Sequence, residues 1–296
     1  MKNKEFINCE ICNADSYTAV STQGRDYIKT EIAICENCGF VYQNPRWCKE
    51  SILKFYQFSY DKYYRATFLD QDRSPEEYKS LKWGFNPLFN RIEPFVNKKD
   101  GLCILDVGSG EGTNLKFLGT KYENSKLFAI EPSHAALKAL NEKGINVISN
   151  DVDSNWHQES VKRFDIITLR HVFEHLLYPN EFLQKVKSVL KADGVLYIAV
   201  PDAYNLADLP FSRDFSRIVH NYYFTKLSLT NIIQKNGLKV LSIEEGDKYH
   251  DSELFVVVGL SDVCENIRIS KEEHDKQLQY LKPFIARDKK IVSQMI

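Results

Sequence analysis

Four cysteines near the N-terminus have the spacing of metal ligands. They form two Cys-x2-Cys pairs, Cys9 with Cys12 and Cys35 with Cys38. Two such pairs supply the four thiolates of a tetrahedral structural zinc site, which leaves no open position for water or substrate. We therefore predict structural Zn²⁺ here, in a module too small to fold without it. The alternative is four unrelated cysteines.

A glycine-rich turn follows an apolar segment near the middle of the chain. The segment Leu102–Val107 predicts a short buried strand that contains Asp106 near its end. The turn then contains Gly108, Ser109, Gly110 and Gly112. Glycine lets the backbone approach a ligand closely, and a helix predicted at Thr113–Leu118 would direct its free N–H groups at that ligand. Dinucleotide-binding folds also begin with such a turn, so the spacing alone leaves the nucleotide cofactor open.

Two further predicted strands also lead into acids. The strand Lys126–Ile130 ends at Glu131, and the strand Ile145–Ser149 is followed by Asp151. In a Rossmann-type sheet, an acid at the first of these positions accepts hydrogen bonds from the ribose hydroxyls of a nucleotide. An alternative role for Glu131 is to cap the helix that begins near Pro132.

Three histidines are candidates for a general base. His171 and His175 follow the fourth predicted strand, Phe164–Leu169, and His220 lies in the long connection Asp202–Thr225. A neutral imidazole, with an unperturbed pKa of about 6.5, can take a proton from a hydroxyl group at neutral pH. Ligands bind beyond the carboxyl ends of parallel strands, where the long connection must lie. We therefore expect His220 to be the base, with His171 and His175 as alternatives.

The elements that must position these residues alternate between strand and helix. A fifth strand is predicted at Gly194–Val200, a helix at Leu227–Lys235, and two last strands at Lys239–Ile243 and Leu254–Leu260. This alternation predicts a doubly wound, mostly parallel sheet. A polar connection joins the last two strands, so we expect them to form an antiparallel pair.

The chain divides into four predicted regions. They are a zinc module at 1–49, an aromatic-rich helical lid or linker at 50–97, the sheet domain at 98–260 and a charged C-terminal helix at 261–296. Most aromatic rings of the lid should pack on the sheet domain, but Tyr63 and Tyr64 are candidates for covering the cofactor or stacking on a substrate ring. The C-terminal helix should pack on the zinc module or form a dimer contact, which leaves monomer and homodimer open.

Composition limits the partners. The 296-residue chain is 43% apolar and has a formal net charge of −1, enough to bury one full domain and a small module. The absence of a basic patch argues against nucleic acid and favours a small-molecule substrate. No stretch of about 20 apolar residues predicts a membrane span, and the N-terminus lacks the apolar core of a signal peptide. We expect a cytoplasmic protein with no membrane partner and with reduced cysteines.

The glycine turn resembles the D-x-G-x-G-x-G loop of class I S-adenosylmethionine-dependent methyltransferases. The resemblance implies a Rossmann-like, doubly wound α/β sheet of seven strands, the last antiparallel, with S-adenosyl-L-methionine as cofactor. In that family the loop surrounds the methionine and ribose parts and its acid helps to hold the ammonium group. An acid after the third strand accepts from adenine, a role for which Asp151 and Asp153 compete. The implied cofactor-binding residues are Asp106, Gly108, Ser109, Gly110, Gly112, Glu131, Pro132, Asp151, Val152, Leu169 and Arg170.

A second resemblance concerns the long connection. Its segment Val219-His220-Asn221-Tyr222-Tyr223-Phe224, together with the cysteines, resembles zinc-containing methyltransferases that act on nucleotide-linked deoxysugars. Their sequence is Glu-His, two residues, then Tyr-Phe, and the His is the proposed base. The resemblance implies His220 as base and Tyr222 and Tyr223 as candidate substrate contacts, although Val219 replaces the Glu. It implies methylation of a sugar or sugar nucleotide. Methylation of RNA or another small molecule, and a non-catalytic cofactor-binding scaffold, are the alternatives.

Overall fold

The computed structural model describes residues 3–21, 30–59, 85–97, 100–158, 163–204, 219–246, 253–261, 263 and 265–295. Tyr63 and Tyr64, the two tyrosines of the predicted lid, lie outside these residues. Residues 205–218, which make up much of the predicted substrate loop, also lie outside them.

The N-terminal region forms two small antiparallel sheets. β1 (Lys4–Glu5) pairs with β5 (Arg46–Trp47), while β2 (Tyr17–Ser21), β3 (Ile32–Cys35) and β4 (Val41–Gln43) pair in succession. The described part of region 50–97 contains α1 (Lys49–Phe58), α2 (Phe85–Ile92) and a 3-10 turn at Glu93–Phe95. The described part of this region is therefore mainly helical.

The centre of the chain alternates between strand and helix as the sequence predicts. Its strands are β6 (Cys103–Val107), β7 (Lys126–Ile130), β8 (Asn146–Ser149), β9 (Phe164–Arg170), β10 (Leu190–Pro201), β11 (Tyr222–Tyr223), β12 (Leu238–Glu245) and β13 (Glu253–Leu260). Its helices are α3 (Thr113–Lys121), α4 (His134–Glu142), α5 (Pro179–Val189) and α6 (Lys226–Lys235), and α7 (Lys271–Met295) follows in the C-terminal region. Among the described residues, none of the helices combines the length and the apolarity needed to cross a bilayer.

Seven of these strands form one mixed sheet in the order β12-β13-β10-β9-β6-β7-β8. The five strands from β10 to β8 are parallel, and β13 runs antiparallel to both of its neighbours. The predicted Rossmann-like sheet with an antiparallel last strand is thus confirmed. The register places Asp106 opposite Thr168 and Ala129. Glu131 and Arg170 consequently lie at the same edge of the sheet as the glycine turn.

One strand boundary differs from the sequence prediction. β10 begins at Leu190 instead of Gly194, and its register against β9 shifts between Leu190 and Val195. A Cβ on Gly194 would lie 2.9 Å from the carbonyl oxygen of Phe164. Glycine is therefore required inside an irregular strand, whereas the sequence reading takes it as the start of a regular one.

The N-terminal sheets and the central sheet share an apolar core. Phe40 and Tyr42 belong to the same buried cluster as Leu105 of β6. The ring centroid of Phe40 lies 5.8 Å from that of Tyr222 and 5.4 Å from that of Phe224. β11 also pairs with β4 and so becomes the fourth strand of the N-terminal sheet. The module at 1–49 is therefore joined to the sheet domain by both packing and backbone hydrogen bonds.

The C-terminal helix packs on the N-terminal module, which is one of its two predicted roles. Val20, Ile34 and Val41 share an apolar cluster with Leu281 of α7. Gly39, directly after the second cysteine pair, has φ +74°, and a Cβ there would lie 2.7 Å from the Cα of His274. The close approach of α7 thus depends on glycine at this position.

We expect Gly39→Ala to destabilise the protein more than Gly144→Ala. Gly144 has a similar φ of +68°, but a Cβ there would have nothing within 4 Å. Gly144→Ala should therefore cost only the left-handed backbone strain, about 1–2 kcal/mol, whereas Gly39→Ala should add a clash worth about 1–3 kcal/mol. Urea denaturation measures both. Equal losses in the two variants would show that α7 does not press on Gly39.

Candidate active site

The four cysteines predicted as zinc ligands lie together. The Sγ atoms of Cys9 and Cys38 are 3.5 Å apart, as are those of Cys12 and Cys35, and all four lie within 4.8 Å of one another. A Zn–S distance of about 2.3 Å places tetrahedral ligands about 3.8 Å apart, whereas a disulfide requires about 2.05 Å. The arrangement fits a four-thiolate zinc site.

The glycine turn has the backbone conformation that its sequence predicts. Gly108, Gly110 and Gly112 have φ values of +70°, +54° and +75°, which strain a residue with a Cβ. Ser109 lies between them, with its hydroxyl 3.4 Å from the Gly110 carbonyl oxygen. A Cβ on Gly108 would collide with Val172. The segment that follows β9 and carries two of the histidines therefore packs directly on the turn.

Asp106 is buried beside this turn. Its Oδ1 atom accepts a hydrogen bond from the Thr168 hydroxyl at 2.7 Å. Burial raises the pKa of the Asp106 carboxyl to about 7, although the Thr168 hydrogen bond acts in the opposite direction. A buried carboxyl whose ionisation is impeded by desolvation suits a cationic ligand, because the ligand supplies the missing counter-charge.

Glu131 links the turn to the next helix. Its Oε2 accepts a hydrogen bond from the Gly110 N–H at 2.7 Å, and its Oε1 accepts one from the Ser133 N–H at 2.8 Å. Glu131 thus accepts one N–H at the start of α4, as the alternative capping role predicts. The N-cap itself is Ser133, which follows Pro132. Glu131 therefore ties the glycine turn to the start of α4 at the carboxyl edge of the sheet.

The two acids after β8 face α1. Asp151 Oδ1 accepts a hydrogen bond from the Asp153 N–H at 2.8 Å, and Lys49 Nζ lies 3.3 Å from Asp151 and 3.9 Å from Asp153. The Val152 carbonyl oxygen accepts from Trp156 Nε1 at 2.9 Å. Both predicted acids therefore lie at the carboxyl edge of the sheet, and the first residue of α1 balances their charge.

The end of β9 fixes His171 as a cation. Leu169 is buried in the core, and Arg170 is the last residue of the strand. His171 has φ +53°, and its ring lies 2.6 Å from Glu253 and 3.6 Å from Glu174. Although desolvation favours the neutral ring, the Glu253 and Glu174 carboxylates raise the pKa of His171 to about 10. A histidine that stays protonated at neutral pH cannot accept a proton.

The half-buried His175 lies against the buried His220. Their ring centroids are 4.8 Å apart, and the Tyr56 hydroxyl is hydrogen-bonded to His175 Nδ1 at 2.6 Å. His175 Nε2 lies 3.3 Å from Glu174, which is only 1% exposed. Burial alone would favour the neutral acid, but His175 and His171 lower the pKa of Glu174. Potential ligand atoms of Glu174, His175 and His220 lie within 4.8 Å of one another, close enough to exchange a proton or share a cation.

Asn221 holds the two histidine-bearing segments together. Its N–H donates to the Glu174 carbonyl oxygen at 2.9 Å. Its side-chain amide donates to the carbonyl oxygens of His175, at 2.8 Å, and Leu176, at 3.3 Å. His220 is therefore kept beside His175 by the residue that follows it in the chain.

The two tyrosines predicted as substrate contacts have different surroundings. The Tyr222 hydroxyl donates to the Leu177 carbonyl oxygen at 3.0 Å and accepts from Arg46 at 2.7 Å, while the ring stacks in the core. The Tyr222 side chain is therefore buried and held by the fold. Tyr223 lies closer to the histidine pair, with its ring centroid 6.3 Å from that of His220.

Sequence reasoning did not single out several residues of this site. Tyr56 carried one signal, its position one helical turn after the buried Ile52. Glu174 precedes His175 directly in the sequence and carries no signal of its own. Lys49 and Asn221 carried no signal, because their partners lie far away in the chain.

Comparisons with known proteins agree with this geometry. The model of the family described as "Methyltransferase domain" matches residues 81–243, more than half of the 296-residue chain. The C-methyltransferase NovU of Streptomyces niveus is 24% identical over 162 residues, which cover 53% of this chain and 37% of NovU. A tRNA U34 carboxymethyltransferase of Campylobacter jejuni is 24% identical over 173 residues, which cover 56% of this chain and 59% of the relative. The chain thus spans less than two thirds of either relative.

A solved structure shows the same fold. It is the 1,6-didemethyltoxoflavin-N1-methyltransferase of Burkholderia thailandensis with bound 1,6-didemethyltoxoflavin and S-adenosylhomocysteine. The two structures align with a TM-score of 0.55 and 13% sequence identity, and the match covers 81% of this chain and 100% of that chain. The chain therefore belongs to the methyltransferase-domain family, and residues 81–243 carry a class I S-adenosylmethionine-dependent methyltransferase domain.

Proposed function

We propose that the protein transfers a methyl group from S-adenosyl-L-methionine to a hydroxyl oxygen or a carbon of a sugar or sugar nucleotide. The observation that carries this proposal is the pairing of His175 and His220, whose ring centroids lie 4.8 Å apart, with His175 on the segment that packs on the glycine turn through Val172. The bound cofactor supplies an already activated methyl group, so the protein has to align the acceptor and remove a proton. We also propose structural zinc at the four cysteines and a cytoplasmic location.

Residues at three strand ends would hold the cofactor. Asp106 would pair with the ammonium group, because its buried carboxyl has a raised pKa. Glu131, which follows β7 and contacts the glycine turn through the Gly110 N–H, would accept from the ribose hydroxyls. Asp151 or Asp153 would accept from the adenine amino group. The glycine turn would surround the methionine part.

His220 is the proposed general base. We assign His171 no role as base, because Glu253 and Glu174 lie beside its ring and raise its pKa to about 10. His175 already makes a short hydrogen bond to Tyr56 through Nδ1 and faces Glu174 through Nε2. Its proposed role is therefore to hold the His220 ring in place through the contact between the two rings.

The acceptor class rests on the sequence resemblance at His220, Tyr223 and Phe224 and on the cysteine module. The similarity to a C-methyltransferase supports carbon as one possible acceptor atom. RNA is the second candidate, supported by the similarity to a tRNA-modifying enzyme. The net charge of −1 argues against it, since nucleic-acid binding normally requires a basic surface.

We expect cofactor affinity to depend on pH through Asp106. The free carboxyl, with a pKa near 7, must lose its proton to pair with the ammonium group. Binding should therefore release a proton and weaken as pH falls below 7, by up to about tenfold per pH unit. Calorimetry with S-adenosylhomocysteine in buffers of different ionisation enthalpy measures this release. Asp106→Asn should bind weakly and without the pH dependence. A pH-independent affinity in the wild type would remove Asp106 from the cofactor site.

Replacing His220 should affect turnover but not cofactor binding. Loss of a positioned base typically lowers the rate by about 10² to 10⁴. His220→Ala should show this loss with unchanged S-adenosylhomocysteine affinity, whereas His171→Gln should retain most of the turnover. If His171→Gln is the inactive variant and His220→Ala methylates normally, the assignment of the base is wrong.

The acceptor is tested with radiolabelled S-adenosylmethionine. We expect label to transfer to a nucleotide-linked deoxysugar from a panel that also contains free sugars and structured tRNA. Transfer to tRNA alone would favour the RNA alternative. Cofactor binding without transfer to any member of the panel would favour a non-catalytic scaffold.

A further inference from the structure

We propose that the N-terminal module is part of the catalytic site, with Gln43 and Asn221 as positioning residues that hold His220 against His175. The catalytic part of this inference rests on the proposed role of His220. The placement of the two rings does not depend on that role and can be measured without a substrate.

The module supplies the hydrogen bonds on one side of His220. The Gln43 side chain donates to the His220 carbonyl oxygen at 2.7 Å, and the Gln43 N–H donates to the Asn221 carbonyl oxygen at 2.8 Å. β4 and β11 continue this pairing at Tyr42–Tyr222 and Val41–Tyr223. The backbone that carries His220 is thus the outer strand of the module's own sheet.

The sheet domain supplies the hydrogen bonds on the other side. Asn221, which is 1% exposed, donates from its N–H and its side-chain amide to the carbonyl oxygens of Glu174, His175 and Leu176. One buried residue therefore receives a hydrogen bond from the module and donates three to the segment that carries His175. The 4.8 Å separation of the rings is fixed by these bonds.

The predicted zinc site adjoins β4 through the neighbouring strand β3. Cys35 ends β3, and β3 pairs with β4 along Ile32–Gln43 and Ile34–Val41. Since metal binding folds modules of this kind, loss of zinc should release β4 and with it the restraint on His220. The module would then act on catalysis without touching the reacting atoms.

The test compares matched pairs of buried amides. Asn221→Ala is paired with Asn236→Ala, because Asn236 donates to Asn180 and Ile232 away from the site. Gln43→Ala is paired with Asn44→Ala, because the Asn44 side chain is hydrogen-bonded to the backbone of Ile7, away from the histidines. Gln43→Ala also keeps the backbone pairing of β4 and β11, so it remains informative if Asn221→Ala does not fold.

The main readout is the NMR titration of labelled histidine rings. Among the residues that the structure describes, His175, Glu174, Tyr56 and Tyr223 are titratable groups that face His220 or its partner ring. Asn221→Ala and Gln43→Ala should shift the ring resonances and titration midpoints of both His175 and His220. Misplacement by about 1 Å should also lower kcat about 10²-fold, with little change in KM or in S-adenosylhomocysteine affinity. The control variants should lose stability without these changes.

Loss of zinc provides a second, independent test of the positioning role. Elemental analysis should give about one zinc per chain. In Cys35→Ser the zinc should be lost and the His220 resonances should shift as they do in Gln43→Ala. Unchanged ring titrations in Asn221→Ala and Gln43→Ala, or equal shifts in the controls, would overturn the positioning role. If His220 is not the base, His220→Ala should remain active, while Asn221→Ala and Gln43→Ala should still shift the histidine ring resonances.

Discussion

The structure depends on the need of buried backbone carbonyl groups for hydrogen-bond donors. Among the described residues, no strand of the central sheet pairs with His220 or Asn221. The segment that contains them obtains donors from Gln43 of the N-terminal module instead, and through Asn221 it supplies donors to the segment after β9. This requirement brings together the cysteine module, the long connection and the histidines. The same three parts of the chain also contribute to one apolar core.

α1 extends across three of the strand ends where the cofactor is expected. Lys49, its first residue, lies 3.3 Å from Asp151 after β8, and Tyr56 is hydrogen-bonded to His175 after β9. Phe58, its last residue, places its ring centroid 6.0 Å from that of His134, which begins α4 after β7. A single helix thus contacts the expected adenine, ribose and acceptor ends of the site, so displacement of α1 would affect all three together.

Local sequence signals predicted most of the central fold. Apolar runs predicted the parallel strands, and alternating glycines predicted the turn. The spacing of the paired cysteines predicted that their four sulfurs lie together, as they do. Long-range relationships were missed. β11 contains two residues, too few to show a period, and its partner β4 lies in another region of the chain. His171 looked equivalent to His175 until the fold brought Glu253 to within 2.6 Å. The sequence also could not show that Arg46 and Leu177 use the hydroxyl of Tyr222.

The pairing of β4 with β11 also affects the order of folding. Gln43 and His220 are separated by 177 positions, and contacts between distant positions form late because a long loop must first be closed. During synthesis from the N-terminus, β4 is an unprotected sheet edge until β11 has been made, and such edges promote association between chains. The outer face of β2 also stays uncovered until α7 follows. Nascent chains would therefore be most prone to aggregation during the period when the module has been synthesised and β11 has not.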